Sequence, residues 1–197
     1  MVSSGLTDNI DVSHFRLSVH LLTAFLILSL IFWNYLKIKK KNNQLNKINS
    51  IIPFLFLILI FMQIAVGAFV SGMDAGKIYN SWPLMGNTYF PDDNDFSNLF
   101  KLSVFSDPSL VQFIHRNLAY IIGIFYIFIL YKIYKNKMYE LYKTVNLLGC
   151  LIFLQIILGI YTIISGAQIY VASMHQISSI FLVSSCIYFF FINTKFN

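Results

Sequence analysis

Five apolar stretches, each close to the length of a membrane-spanning helix, constrain this chain more than any other feature of its sequence. They are Leu17–Leu36, Ile51–Val70, Val111–Ile133, Val145–Ile164 and Val171–Ile192. A helix needs about 20 mostly apolar residues to cross a bilayer, so each stretch is predicted to span a membrane. The composition agrees, because only 11% of the residues are charged, against about 25% in soluble domains. We therefore expect an all-α polytopic membrane protein with five transmembrane helices.

The distribution of charge predicts the orientation of these helices. Lysines are concentrated in the first and third connections and at the C-terminus, at Lys37, Lys39, Lys40, Lys41, Lys47, Lys132, Lys135, Lys137, Lys143 and Lys195. Acidic residues occur on the opposite side, at Asp8, Asp11, Asp74, Asp92, Asp93, Asp95 and Asp107. Because basic loops stay in the cytoplasm, we expect the N-terminus and the long Gly72–Leu110 loop outside and the C-terminus inside. The net charge of +6 is then a sign of topology, and not of nucleic-acid binding.

Three histidines lie at a similar depth near the outer ends of three predicted helices, namely His20, His115 and His175. Each is about 6–9 Å into its helix, at 1.5 Å per residue. The residue four positions further on shares the helical face one turn inward and is always small: Ala24, Ala119 and Ser179. On the third helix Gly123 extends this face. Histidines above small residues leave a flat slot that suits a porphyrin, whose iron takes an imidazole from each side.

Other interpretations of these histidines stay open. A single histidine near the membrane interface can be a hydrogen-bonded or snorkelling residue, and histidines inside a membrane can relay protons. Zinc or copper is disfavoured, because no cysteine or carboxylate lies at the same depth and the spacing is wide. The fourth histidine, His14, is expected to be solvated next to the interface.

A repeat relates the second and third helices to the fourth and fifth. The second apolar stretch ends QIAVGAFVSG (Gln63–Gly72), and the fourth contains QIILGIYTIISG (Gln155–Gly166). Each Gln-Ile-x-x-Gly helix is followed by a helix with an outer histidine. Two such pairs predict a four-helix bundle, in which the glycines allow close packing. The two glutamines either hydrogen-bond across the bundle or face a cofactor.

The outer loop after the second helix carries the most specific motif. Its sequence GAFVSGMDAGKIYNSWPLM (Gly67–Met85) resembles the signature of the heme A synthases, in the form found in alphaproteobacteria and mitochondria. VQFIHRNLAY (Val111–Tyr120) resembles the Gln-Phe-x-His-Arg helix of that family, VASMHQISSIF its last histidine helix and VSHFRLSVHLLTA its fourth span. The resemblance covers nearly the whole chain. Tyr79, Asn80 and Trp82 are expected to form an amphipathic lid at the interface, with ordinary interface anchoring by Tyr79 and Trp82 as the alternative. Asp92, Asp93 and Asp95 are expected to be solvated, with a calcium site as the alternative.

The resemblance implies how the chain is divided. Heme A synthases have eight spans in two similar halves, and this chain resembles the fourth span and the C-terminal half. Residues 1–48 are then an outer segment, a first helix and a cytoplasmic loop that remain from an N-terminal half. Residues 49–197 are a heme-binding four-helix bundle, with spans at about 51–70, 111–133, 145–164 and 171–192. The opening of the chain resembles an internal stretch of the family, so Met1 is interpreted as an internal methionine.

The resemblance also implies the site. A heme b lies between His115 and His175. Arg116 follows His115 directly, and arginine holds carboxylates in a bidentate fork, so Arg116 is expected to bind a heme propionate; contact with a lipid headgroup is the alternative. His20 matches a ligand of the substrate heme; its partner histidine and a glutamate would lie upstream of the chain. No catalytic residue is assigned, because the only glutamate, Glu140, lies on the cytoplasmic side.

The function implied is the oxidation of a methyl group of heme O to the formyl group of heme A, for cytochrome oxidase assembly, by an oxidoreductase of the cell inner membrane. The expected partners are heme O, heme O synthase and a separate N-terminal half, and the electron acceptor is unknown. One alternative is a bis-histidine membrane cytochrome b that only transfers electrons. Another is an assembly or transport protein without a cofactor. The Trp-Pro loop favours the synthase.

Overall fold

The computed structural model describes residues 13–39 and 47–194. These residues form five long helices: α1 (His14–Lys39), α2 (Ile51–Gly72), α3 (Pro108–Lys135), α4 (Tyr139–Ile164) and α5 (Ile169–Asn193). Each is long and apolar enough to cross a membrane, which confirms the all-α polytopic architecture. The largest difference from the predicted bounds is at α4, which begins at Tyr139 and not at Val145. Its first turns are polar and continue the helix beyond the apolar stretch.

Helices α2 to α5 pack as a four-helix bundle. Helix α2 contacts α3 and α5, and α4 contacts the same two helices, so α3 and α5 occupy opposite corners. The shared core contains Phe56, Ile129, Leu148 and Phe189, all fully buried. This arrangement places any side chains that project inward from α3 and α5 across the bundle from each other.

Helix α1 lies outside this bundle, against α2 and α5. It contacts them through one face that includes the buried residues Ser18, Phe25 and Leu36, and Ser18 Oγ donates to the backbone oxygen of Ala65 at 3.2 Å. The first turn of α1 and the last turn of α2 meet closely, because a Cβ added at Gly72 would lie 2.9 Å from the Cα of His14. Glycine is therefore required at this contact.

The basic helix ends share one end of the molecule. Lys37 and Lys39 close α1, and Lys132 and Lys135 close α3. Beside them, Lys47 Nζ donates to the backbone oxygen of Thr194 at 2.9 Å, which joins the start of α2 to the end of α5. Other residues used to predict the orientation lie outside the described residues, namely Asp8, Asp11, Lys40, Lys41 and Lys195, and so does the chain opening at Met1. The orientation stays a prediction.

A long loop connects α2 to α3 and contains three short 3₁₀ helices: Ala75–Lys77, Phe96–Phe100 and Leu102–Ser106. The Trp82–Pro83 peptide bond is cis. The loop ends at Asp107, whose Oδ1 accepts from the backbone N–H of Leu110 at 3.0 Å and so caps α3. Pro108 follows in the first turn, where its missing N–H costs no hydrogen bond.

Candidate functional site

His115 on α3 and His175 on α5 face one another from opposite corners of the bundle. Both side chains are half-buried. Both helices begin at the loop-bearing end of the bundle, which puts the histidines at comparable depth. The structure thus brings together two of the three histidines that the sequence singles out.

Each imidazole lies over a glycine of the repeated motif. A Cβ added at Gly67 of α2 would lie 3.0 Å from His115 Cε1, and one added at Gly159 of α4 would lie 3.3 Å from His175 Cε1. In both cases Cε1 is the nearest ring atom, followed by Nδ1 and then Nε2. The glycines were predicted to serve helix packing. Their more specific role is to make room for an imidazole from the next helix.

Each glutamine of the motif holds the backbone of the same histidine. Gln63 Nε2 donates to the backbone oxygen of His115 at 3.1 Å, and Gln155 Nε2 donates to that of His175 at 3.2 Å. The prediction left two roles open for these residues, and hydrogen bonding across helices is the one observed. The Gln-x-x-x-Gly spacing puts both residues on one helical face, so each motif holds a histidine backbone and accommodates its ring.

The ring nitrogens of the pair are incompletely paired. Among the described residues, Nδ1 of His115 and Nδ1 of His175 are buried without a hydrogen-bond partner. Buried polar atoms in folded proteins are nearly always paired, so an exception calls for a specific explanation. One turn and two turns inward from His115 come Ala119 and Gly123, and a Cβ at Gly123 would meet no atom within 4 Å. The space around Gly123 on this face is therefore open.

Arg116 binds the long loop between α2 and α3, a role that sequence reasoning missed. Its Nη1 donates to the backbone oxygens of Ser81 at 2.9 Å and Leu84 at 3.2 Å, and its Nη2 donates to that of Tyr79 at 3.0 Å. Gln112, one turn earlier on α3, also donates to the oxygen of Tyr79, at 3.0 Å. The side chain of Arg116 is buried, and its Nε has no partner among the described residues. A carbonyl acceptor leaves no trace in the sequence, so nothing in it pointed to this contact.

The loop is held by its aspartates as well. The Tyr79 hydroxyl donates to Asp92 at 2.6 Å and to Asp93 at 3.0 Å, and the Ser109 hydroxyl donates to Asp93 at 2.6 Å. Burial raises the pKa of the Tyr79 phenol, and its bonds to the two carboxylates raise it further. Burial alone would raise the pKa of Asp93, but hydrogen bonds from Ser109, Tyr79 and Asn94 outweigh it and lower the pKa. Asp92 and Asp93 are exposed to solvent, as expected, and in addition they accept these hydrogen bonds within the loop.

The aromatic segment of the loop lies over the outer ends of two helices. The indole N–H of Trp82 donates to the hydroxyl of Tyr120 on α3 at 3.1 Å. The amide of Asn80 donates to the backbone oxygen of Ile163, near the end of α4, at 3.0 Å. The segment thus covers the bundle end next to His115, and the side chain of Trp82 remains partly exposed.

The remaining two histidines are on α1, apart from this pair. His20 is exposed and lies about 200° around the helix from Ser18, which faces the bundle. The structure therefore does not bring His20 together with His115 and His175. The expectation that His14 is solvated is wrong, because its Nε2 is buried and its ring packs against Phe15 and Phe69, with centroids 4.4 and 5.7 Å away.

Comparisons with known proteins identify relatives along nearly the whole chain. Residues 1–187 match a protein family described as Cytochrome oxidase assembly protein. The chain is 49% identical over 185 residues to the heme A synthase of Pelagibacter ubique, an alignment that covers 94% of the chain and 54% of the relative. It is 38% identical over 197 residues to the heme A synthase of Flavobacterium johnsoniae, covering 95% of the chain and 57% of the relative. It is 36% identical over 196 residues to the heme A synthase of Rickettsia prowazekii, covering 98% of the chain and 58% of the relative.

The chain therefore spans a little over half the length of the curated relatives it matches. No solved structure matches it.

Proposed function

The chain belongs to the heme A synthase family, and on that premise we propose that its bundle, within residues 49–197, binds heme b with His115 and His175 as axial ligands. The observation that carries the proposal is the matched setting of the two histidines. Each imidazole lies over a glycine of the neighbouring helix, and each histidine backbone is held by a glutamine of that helix. Two imidazoles with equivalent surroundings, at opposite corners of a bundle, suit the two axial positions of one iron.

The residues present fit this cofactor. The donors are two imidazoles whose Nδ1 atoms are buried without a partner among the described residues, while Nε2 of His115 lies 3.2 Å from Gln63 Nε2, and the space at Gly123, two turns further along the same helical face as His115, is open. Heme b supplies an iron that takes up and gives up one electron at a time. The chain's own residues fix the two imidazoles by helix packing, so that little reorganisation accompanies a change of charge. The apolar walls of the bundle exclude water.

Arg116 is proposed to bind a heme propionate in addition to the loop. Three of its N–H groups are engaged with the carbonyls of Tyr79, Ser81 and Leu84. Its Nε–H is buried and has no protein acceptor among the described residues, and Nη2 carries one N–H beyond the one that it donates to Tyr79. A guanidinium can bind a carboxylate through such a pair of N–H groups, with two parallel hydrogen bonds.

For the protein as a whole we propose the family's activity, the oxidation of heme O to heme A in the cell inner membrane. The relatives that support it are all named heme A synthase.

His20, which is exposed on α1 and directed away from the bundle, is proposed as a ligand of the substrate heme. Residues 1–48 are proposed as part of a second unit, distinct from the bundle of residues 49–197. Heme O synthase is the proposed supplier of substrate. We propose that the N-terminus and the long loop between α2 and α3 lie on the outer side of the membrane and that the C-terminus lies in the cytoplasm.

A cytochrome b that only transfers electrons would need the same two ligands. The setting of His115 and His175 supports both functions equally. The family supports the synthase, because its curated members carry that name.

The test is an absorption spectrum of the purified, dithionite-reduced protein, expressed with heme supplied. We expect sharp b-type bands in the wild type that are lost in His115→Ala and in His175→Ala. The matched control is His20→Ala, which removes a histidine of similar depth from outside the bundle and should keep the bands. A colourless wild-type protein, or bands that survive both bundle substitutions, would rule out the proposed ligands.

A further inference from the structure

Gln63 and Gln155 occupy the same place in the repeat but contact their histidines differently. Besides the backbone oxygen of His115, Gln63 Nε2 lies 3.2 Å from the ring atom His115 Nε2. Besides the backbone oxygen of His175, Gln155 Nε2 donates to the hydroxyl of Ser178 at 2.6 Å. Gln63 thus contacts an imidazole nitrogen, whereas Gln155 donates to a serine hydroxyl instead.

The backbone contact fixes the direction of the hydrogen bond at His115. A carbonyl oxygen accepts only, so the amide of Gln63 must present its NH₂ group there, and not its oxygen. The same NH₂ group then donates to His115 Nε2. This nitrogen is therefore the unprotonated one, and its lone pair is engaged by Gln63. An unprotonated imidazole nitrogen is also what an iron requires, so Gln63 and a metal compete for the same electron pair.

One position in the repeat accounts for the difference. Ser178 lies three residues after His175, and the corresponding residue after His115 is Leu118. Leu118 is buried in the core and offers no acceptor. The second N–H of Gln63 therefore finds its acceptor on the imidazole, whereas that of Gln155 finds it on Ser178. The Ser178 hydroxyl in turn donates to the His175 backbone oxygen at 3.0 Å.

We propose that Gln63 is a positioning residue that makes the two axial ligands unequal. It holds the Nε2 lone pair of His115 when this histidine is off the iron, and so makes His115 the weaker ligand and His175 the permanent one. The inference rests on the proposed function, in which these two histidines ligate heme. Its consequence is a heme whose His115 side opens to a small external ligand, on the side of the bundle covered by the loop that Arg116 holds.

The competition is measurable with carbon monoxide, which binds reduced heme iron only where an axial ligand has left. We expect the wild-type reduced protein to bind carbon monoxide at equilibrium. Gln63→Leu removes the competing hydrogen bond, so His115 holds the iron more tightly. The apparent affinity for carbon monoxide should then fall roughly 2- to 10-fold, the range that one neutral hydrogen bond supports.

Two further variants separate this role from a structural one. Gln155→Leu is the matched control: it removes an equivalent bond between helices but none to an imidazole nitrogen, so the affinity for carbon monoxide should not fall. Leu118→Ser gives Gln63 the acceptor that Gln155 has. It should lower the affinity as Gln63→Leu does, while the bond from Gln63 to the His115 backbone is kept.

The outcomes distinguish this inference from the function on which it rests. A wild-type protein without heme bands would contradict both the proposed function and this inference. A heme-loaded wild type that binds no carbon monoxide overturns the inference alone. So does an affinity that is unchanged in Gln63→Leu, or one that falls equally in Gln155→Leu.

Discussion

Gly67 and His115 approach so closely that a Cβ on the glycine would lie 3.0 Å from Cε1 of the imidazole. The contact joins α2 to α3 at the level of the proposed iron, and the equivalent contact of Gly159 with His175 is slightly looser, at 3.3 Å. At either position an added methyl group forces the ring to move. The two contacts therefore link the packing of each helix pair directly to the position of an axial ligand.

We predict that Gly67→Ala lowers heme occupancy more than Gly159→Ala does. Overpacking at such a contact costs about 1–3 kcal/mol, and here it displaces the ring that binds the iron. The measurement is the amplitude of the reduced b-type bands per protein, together with the midpoint of thermal unfolding. Equal heme occupancy in both variants and in the wild type would show that the contact between glycine and imidazole does not limit heme binding.

Gly123→Ala is the matched folding control for this pair. A Cβ at this position would meet no atom within 4 Å, and alanine favours a helix over glycine by about 1 kcal/mol. Because Gly123 lies at the proposed heme position, the thermal midpoint of this variant is measured on protein without bound heme, and it should be unchanged or higher. A lower midpoint would mean that the added methyl group meets an obstacle that the structure does not contain.

Arg116→Lys should loosen the outer loop without unfolding the bundle. Lysine cannot reproduce the planar fork that holds three backbone oxygens, and each hydrogen bond to a charged group contributes about 1.5–3 kcal/mol. Amide hydrogen exchange of residues 79–84 should accelerate, while that of α2 and α5 stays slow. Lys77→Ala is the control, because it removes a cation of the same loop whose ion pair with Asp74, at 2.8 Å, is exposed and contributes little. Similar exchange in both variants would contradict the role of Arg116.

The loop should also respond to acid through Asp93. A carboxyl whose pKa is lower in the folded protein than its ordinary value near 3.8 stabilises the folded state above that value. This contribution is lost as the pH falls through the folded-state pKa, because protonation removes an acceptor from Ser109 and Tyr79. We therefore expect protease resistance of residues 79–107 to hold from pH 7 to about 4 and to weaken below it.

Asp93→Asn should be less resistant at pH 7 and should lose this acid dependence, and Tyr79→Phe should weaken the loop at both pH values. Asp95→Asn is the control, because the side chain of Asp95 is exposed and makes no capping hydrogen bond. If the acid transition persists unchanged in Asp93→Asn, a group other than Asp93 is responsible for it.

The five spans could be predicted from the sequence because the bilayer imposes a local requirement, a run of apolar residues of sufficient length. The Gln-Ile-x-x-Gly repeat likewise revealed the pairing of α2 with α3 and of α4 with α5. Most helix bounds differ by a few residues only, and the early start of α4 at Tyr139 follows from a polar turn that no apolar window detects.

Which residues meet was decided by the tertiary structure. His20, His115 and His175 look alike along the sequence, with similar depth and a small residue one turn on. Packing separates them, because α3 and α5 stand at opposite corners of the bundle, whereas α1 lies outside it and exposes His20. The partners of Arg116 and the unequal contacts of Gln63 and Gln155 likewise depend on atoms of distant segments. Hydrophobic length and periodicity are properties of one segment, and so the sequence determined them alone. A hydrogen bond to a carbonyl oxygen or to an imidazole nitrogen depends on how two segments pack, and only the folded chain defines it.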